Sequence, residues 1–208
     1  MILNTQVFRL VTASAFLSTF VQGHGYLQSP RSRNWYANPN SGTHEYGSPS
    51  SWEYCPHCLN TKEETQVCAT GNAQNYDEWQ NSSGNSMPWT TQAVYTEGQE
   101  IEVETVLSTN HAGHIDMFAC PAGSDSTPEC FLENPLTFVR NVYDPEGPFD
   151  LFYPERAYVS GKSDHKFIYK LPEGVYGDEV MLQWRYITAN SCIPPGYVRF
   201  FSSFIMHQ

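Results

Sequence analysis

The chain has 208 residues and a formal net charge of −11 at pH 7. Its length suits one domain with a sizeable core. So acidic a chain is not drawn by its field to nucleic acid or an anionic membrane, which leaves neutral polymers and small molecules as partners.

The first element is a leader. Arg9 supplies a positive charge, Leu10 to Val21 form an apolar run, and Val21 and Gly23 suit a signal-peptidase site. The run is shorter than the roughly 20 residues that span a bilayer, so residues 1–23 read as a secretory signal rather than an anchor. Cleavage would leave residues 24–208 as a single secreted domain that begins on His24, in the stretch VQGHGY. Arg9 is the only charged residue in the leader, so the mature charge becomes −12.

Residues 29–90 are rich in Ser, Asn, Pro, Gly and aromatics, with no helical period beyond one turn near 73–80. This segment predicts long irregular loops with enough aromatics and cysteines to bury. A strand follows, with alternation at Ile101, Val103 and Thr105 after the turn Glu97-Gly98. HIDMFAC predicts a second. HKFIYKL, with Phe167 and Tyr169 set against His165, Ile168 and Lys170, predicts a third. EVMLQWRYIT is a more fully buried fourth, and YVRFFSSFIM a fifth. Short strands between turn signals predict an all-β, antiparallel, immunoglobulin- or fibronectin-like sandwich.

Six cysteines behind a secretion signal argue for three disulfides. Cys120 and Cys130 enclose the turn-rich loop PAGSDSTPE and are the best single pairing; Cys55, Cys58, Cys68 and Cys192 admit three arrangements. Asn81-Ser82-Ser83 is a glycosylation sequon.

A histidine at a processed N-terminus offers a free α-amino nitrogen and an imidazole Nδ1 on one residue. The amine has a pKa near 8 and yields its proton readily to a strong metal. One further imidazole completes a T-shaped set of three nitrogens, which suits Cu(II) better than tetrahedral zinc. The other histidines are His44, His57, His111, His114, His165 and His207. His57 lies within CPHC, where secretion favours a disulfide over zinc. His165, at the start of a strand, and His207, near the C-terminus, read as solvent-exposed. His111 and His114 stand at the junction of two predicted strands.

HGYLQSPRSR at the mature start, TNHAGHIDMFACP, and LQWRYITANSC followed by RFF together resemble the copper-dependent lytic polysaccharide monooxygenases, and more closely the chitin-binding type-4 superfamily with its spindolin-like proteins. The similarity runs over essentially the whole mature chain. It implies a histidine brace holding one copper ion, with His24 and His111 as ligands and Phe200 at the axial position. His114 is the residue most easily confused with His111, and Phe201 is the axial alternative. This chain has Ser203 where relatives carry a cysteine, which leaves the register of the last strand open. Gln183 is a candidate near the open face of the metal, but Gln183 and Arg185 share one face of their strand and Trp184 and Tyr186 the other, and sequence does not say which face meets the site.

The implied activity is oxidative cleavage of glycosidic bonds at C1 or C4 in an insoluble polysaccharide, chitin first and cellulose second, with an external electron donor and peroxide or dioxygen. The protein would act as a monomer. Tyr26, Trp35, Tyr36, Tyr46, Trp52 and Tyr54 are candidates for stacking on sugars. Two other classes stay open: a non-catalytic carbohydrate-binding module, and a copper-binding protein without polysaccharide activity. No carboxylate pair stands out for a classical glycosidase.

Overall fold

The computed structural model describes residues 24–44, 48–49, 52–55, 90–121, 127–147, 149–159, 161–189 and 196–197. Among these the chain forms β1 (His24–Ser29), α1 (Arg33–Tyr36), β2 (Glu100–Thr109), β3 (His114–Pro121), α2 (Pro128–Glu133), β4 (Thr137–Asn141), β5 (Ala157–Tyr158), β6 (Asp164–Lys170) and β7 (Val180–Ile187). Two antiparallel sheets result, one ordered β1-β2-β6-β4 and the other β5-β3-β7. This is the expected all-β sandwich. Among the described residues no helix is long and apolar enough to cross a membrane.

Alternation explains why β2 forms where it does. Ile101, Val103, Thr105 and Leu107 are buried, while Glu100 and Glu102 face solvent. The inward residues meet Ile115, Met117 and Ala119 of β3, Phe167 and Tyr169 of β6, and Leu27 of β1 in one apolar core. Burying each large apolar side chain contributes about 1.5–3 kcal/mol, so this layer between the sheets holds the fold. The outer face of the first sheet is different in kind. There Lys166 bridges Glu102 at 2.9 Å and Glu104 at 2.6 Å, an exposed cross-strand cluster that favours the β2–β6 register and adds little to stability.

Several expectations need correcting. His165 shares its face with Phe167 and Tyr169, because residues two apart on a strand point the same way. It is not exposed: it is 3% accessible and its ring stacks on Phe167 at 5.6 Å. Its Nε2–H donates to the Lys162 carbonyl at 3.0 Å, which fixes the tautomer because a carbonyl can only accept. α2 occupies part of what was read as loop. Thr127 caps it by accepting from the Cys130 amide at 3.3 Å, and Pro128 suits its first turn. β1, β4 and β5 were not expected, and of the fifth predicted strand only Tyr197 lies within the described residues.

The Cys120–Cys130 disulfide is present, with its Cα atoms 5.8 Å apart. Cys55 is also disulfide-bonded; Cys58, Cys68, Cys192 and the sequon at Asn81 lie outside the described residues.

The connection from β2 to β3 crosses from one sheet to the other in four residues, Asn110 to Gly113. Ala112 has φ +54° and Gly113 φ +106°. A β-carbon on Gly113 would stand 1.9 Å from the Ile187 carbonyl oxygen on β7, so only glycine fits.

Two outcomes follow for stability. Gly113→Ala is expected to cost about 3 kcal/mol or more, at or above the upper end of ordinary overpacking, read from the urea midpoint. The second concerns His165, whose pKa burial pushes below its ordinary 6.5; the Lys162 carbonyl and Asp164 oppose this only in part. The unfolded chain therefore takes up a proton at higher pH than the folded one. The stability due to a neutral His165 is complete above 6.5 and is lost as the pH falls through the folded pKa. Melting temperatures of wild type and His165→Phe, compared from about pH 7.5 to about pH 5, should fall more steeply for the wild type; parallel slopes would exclude the effect.

Candidate metal centre

His24 opens β1 and pairs across the sheet with Thr109, two residues before His111. The close fit of β1 starts at Gly25. A β-carbon there would come within 2.7 Å of both Leu107 Cδ2 and the Val106 carbonyl, and within 3.2 Å of the Trp184 ring. The missing side chain lets β1 lie tight against β2 while the tip of Trp184 covers it. The register shifts between His24 and Gly25, and Ser108 Oγ–H donates to the His24 carbonyl at 3.1 Å.

His111 lies in the crossing turn, which is held by bonds from within, from β7 and from the residues just after β7. The Asn110 side-chain oxygen accepts from the Ala112 amide at 2.8 Å, an Asx turn that stabilises the left-handed Ala112. The His111 amide donates to the Tyr186 hydroxyl at 2.8 Å, and that hydroxyl donates to the Ala112 carbonyl at 2.9 Å. The Ala189 amide donates to the His111 carbonyl at 3.3 Å. On the other side, the Asn110 side-chain amide donates to the Lys162 carbonyl, the same acceptor His165 uses. Burial raises the Tyr186 pKa while its bond from the His111 amide opposes this, so the hydroxyl keeps its proton throughout the neutral range.

The ring of His111 is half-buried, and its Nε2 is shielded from solvent with no hydrogen bond. A buried imidazole nitrogen in that state is costly unless something else binds it. His24 Nδ1 is buried as well, on the residue whose own α-amino group becomes available if the chain is cut after Gly23. Among the described residues no three His, Cys, Asp or Glu side chains cluster as a ready-made metal site. A metal bound by these two rings would find no third His, Cys, Asp or Glu side chain clustered with them among the described residues, and the His24 amine is a nitrogen donor of another kind. The donor set of two imidazoles and an amine fits copper.

His114 is a different kind of residue. It is 2% accessible, its Nδ1 hydrogen-bonds with the Tyr197 hydroxyl, and its Nε2 lies 3.4 Å from Asp116 Oδ1. Nδ1 is thus engaged, Nε2 faces a carboxylate, and the ring packs edge-on to Tyr158 at 6.0 Å. The β3–β7 register sets His114, Asp116 and Phe118 opposite Ile187, Arg185 and Gln183, on the face turned away from the main core. Gln183 is buried there. Trp184 and Tyr186 occupy the other face, and these are the β7 side chains that reach Gly25 and the His111 turn. Sequence separated the two faces without assigning them; Tyr186 is the residue it missed.

The remaining candidates divide by burial. Tyr36 is 5% accessible beneath the Arg31 guanidinium at 5.0 Å, with the His44 ring edge-on, so it packs and does not present a face. Tyr26 and Trp35 stack on one another with ring centroids 4.6 Å apart. Trp52 and Tyr54 are exposed, at 40% and 77%. Cys55, being in a disulfide, offers no thiolate to zinc. Phe200, Phe201, Tyr46, His57 and His207 lie outside the described residues.

A search of curated proteins finds no match. Among solved structures the chain is similar to a lytic polysaccharide monooxygenase AA15 from Thermobia domestica in the Cu(I) state, at 17% identity over 79% of this chain and 83% of that one, with a TM-score of 0.42. The family model described as lytic polysaccharide mono-oxygenase, cellulose-degrading, matches residues 24–197. That match takes in the two sheets, both histidines and the turn that carries the second: the chain belongs to the lytic polysaccharide mono-oxygenase family, copper-dependent enzymes that cleave polysaccharides by oxidation.

Proposed function

We propose that the chain is secreted, loses residues 1–23, and holds one copper ion in a histidine brace made of the His24 α-amino nitrogen, His24 Nδ1 and His111 Nε2. The observation that carries this reading is His111 Nε2, buried and without a hydrogen bond on a turn that leads directly from the strand paired with His24. Phe200, with Phe201 as its alternative, is assigned the axial position on the family resemblance alone. The substrate we propose is an insoluble β-linked polysaccharide, chitin first and cellulose second, although the matching family model is described as cellulose-degrading. The protein acts as a monomer, with Asn81 as a glycosylation site.

Copper held there would supply the redox chemistry: peroxide, or dioxygen together with two electrons from an external donor, would be the oxidant that hydroxylates a carbon beside the glycosidic linkage, which then breaks by elimination. The chain's own residues do the rest. β1 pairs His24 with Thr109 on β2, and the crossing turn that begins at Asn110 carries His111, which supports the two residues acting as a pair. Leu107 and Trp184 pack closely against Gly25, which fixes the backbone that follows His24. Trp52 and Tyr54 present ring faces to solvent, where a sugar can stack. An acidic protein meets no opposing field from a neutral polymer.

The reading is tested by calorimetric Cu(II) titration of protein beginning at His24, protein retaining Gly23, and His111→Ala. One-to-one binding is expected only in the first. Each of the other two should weaken by more than the roughly 10–100-fold typical of losing a group outside the ligand shell. Equal binding in all three would reject the brace. Incubation of the His24 form with reductant, peroxide and either chitin or cellulose, followed by mass spectrometry, then assigns the polymer. Oxidised oligosaccharides from cellulose alone would reverse the order proposed here.

A further inference from the structure

The two histidines are referenced to different sheets. His24 belongs to β1 and is placed by its pairing with β2, in the four-stranded sheet. His111 has left that sheet. Its amide is held by the Tyr186 hydroxyl and its carbonyl by the Ala189 amide, so its backbone is placed by β7 and the residues just after it, on the three-stranded side. The separation of the two rings is thus set by the spacing of the sheets at this edge and by the bonds that pin the turn to β7. A ligand constellation has to be held within about 0.5 Å of its productive geometry, which an unpinned turn does not achieve.

Among the described residues, the side-chain bonds from β7 to the turn are those of Tyr186. One oxygen accepts from the His111 amide and donates to the Ala112 carbonyl, so it ties the peptide before His111 to the peptide after Ala112. Its ring is partly buried against the main core, which fixes where that oxygen stands. We propose that Tyr186 is a positioning residue for the metal centre, whose hydroxyl sets where the second imidazole stands relative to His24. The proposal rests on the His24–His111 reading above. Tyr186 does not touch the metal or the substrate; it acts through His111.

The test compares Tyr186→Phe with Tyr169→Phe. Tyr169 is fully buried in the core and also donates its hydroxyl to a backbone carbonyl, that of Ile115, at 2.8 Å. Each variant loses one hydroxyl bonded to the backbone, the Tyr169 hydroxyl being the more deeply buried, so a general loss of stability appears in both. In Tyr186→Phe without metal, hydrogen exchange at the His111 amide should quicken about 10-fold or more relative to Tyr169→Phe, because its acceptor is gone. Loaded with Cu(II), Tyr186→Phe should bind about 10-fold more weakly and show altered copper hyperfine splitting in its electron paramagnetic resonance spectrum, while Tyr169→Phe keeps wild-type values. Wild-type exchange and an unchanged copper spectrum in Tyr186→Phe would overturn the proposal.

If Tyr186→Phe proves too unstable to load, Asn110→Asp serves in its place. It keeps the acceptor for Ala112 and cuts the tie from Asn110 to Lys162, so a turn pinned by β7 should retain wild-type exchange at His111. Loss of that protection would show that the turn is placed from the four-stranded side, and would overturn the proposal. His111→Ala runs beside these variants. If it binds copper as the wild type does, the brace reading fails and the proposal with it. If it loses copper while Tyr186→Phe matches the wild type, the brace stands and only the positioning role falls.

Discussion

The constraint on which the rest of the molecule depends is the four-residue crossing between the sheets. A chain that must leave one layer and enter the other within Asn110 to Gly113 has to turn through left-handed backbone and pass against the Ile187 carbonyl at van der Waals range. That demand explains the glycine at 113, the asparagine that supports Ala112, and the tyrosine reaching in from β7. It also explains why a histidine placed mid-turn is fixed. The turn is short because it is sewn to both sheets, so a side chain on it inherits the rigidity of the sandwich.

His111 and His114 show how three residues of sequence separate two physical fates. Both precede or begin the same strand, and both look like ligands in a linear reading. One keeps a buried ring nitrogen without a hydrogen bond; the other is tied through Nδ1 to the Tyr197 hydroxyl and sets Nε2 beside Asp116. The difference is parity. His114 falls on the face of β3 that packs under Tyr158 and Tyr197, and the strand's alternation then commits it to that packing.

Alternation made β2 legible in the sequence and guided the reading of β6, while β3 and β7 were legible as apolar runs beside turn signals. β5 has two residues and β4 five, too few to register a period, and HGYLQS was read for its histidine rather than as a strand. α2 carried a readable Thr-Pro start signal inside a segment that looked like a turn-rich loop. Of the two ligand candidates, His24 stood out by following an apolar leader-like run, whereas His111 was chosen over His114 on the family resemblance, a turn histidine by itself reading as a surface residue. Tyr186 was not legible. Its role depends on which side of β7 meets the crossing turn, and face assignment needs the partner strand's register. His165 failed for a simpler reason, a miscounted face.

β1 stands at the outer edge of its sheet, with β2 on one side only. The core between β2, β6, β3 and β7 does not need its first residue to be a terminus. On the brace proposed above, architecture and metal binding are therefore inherited separately: a lineage that drifts in where residues 1–23 are cut would keep the sandwich and lose the amine as a donor.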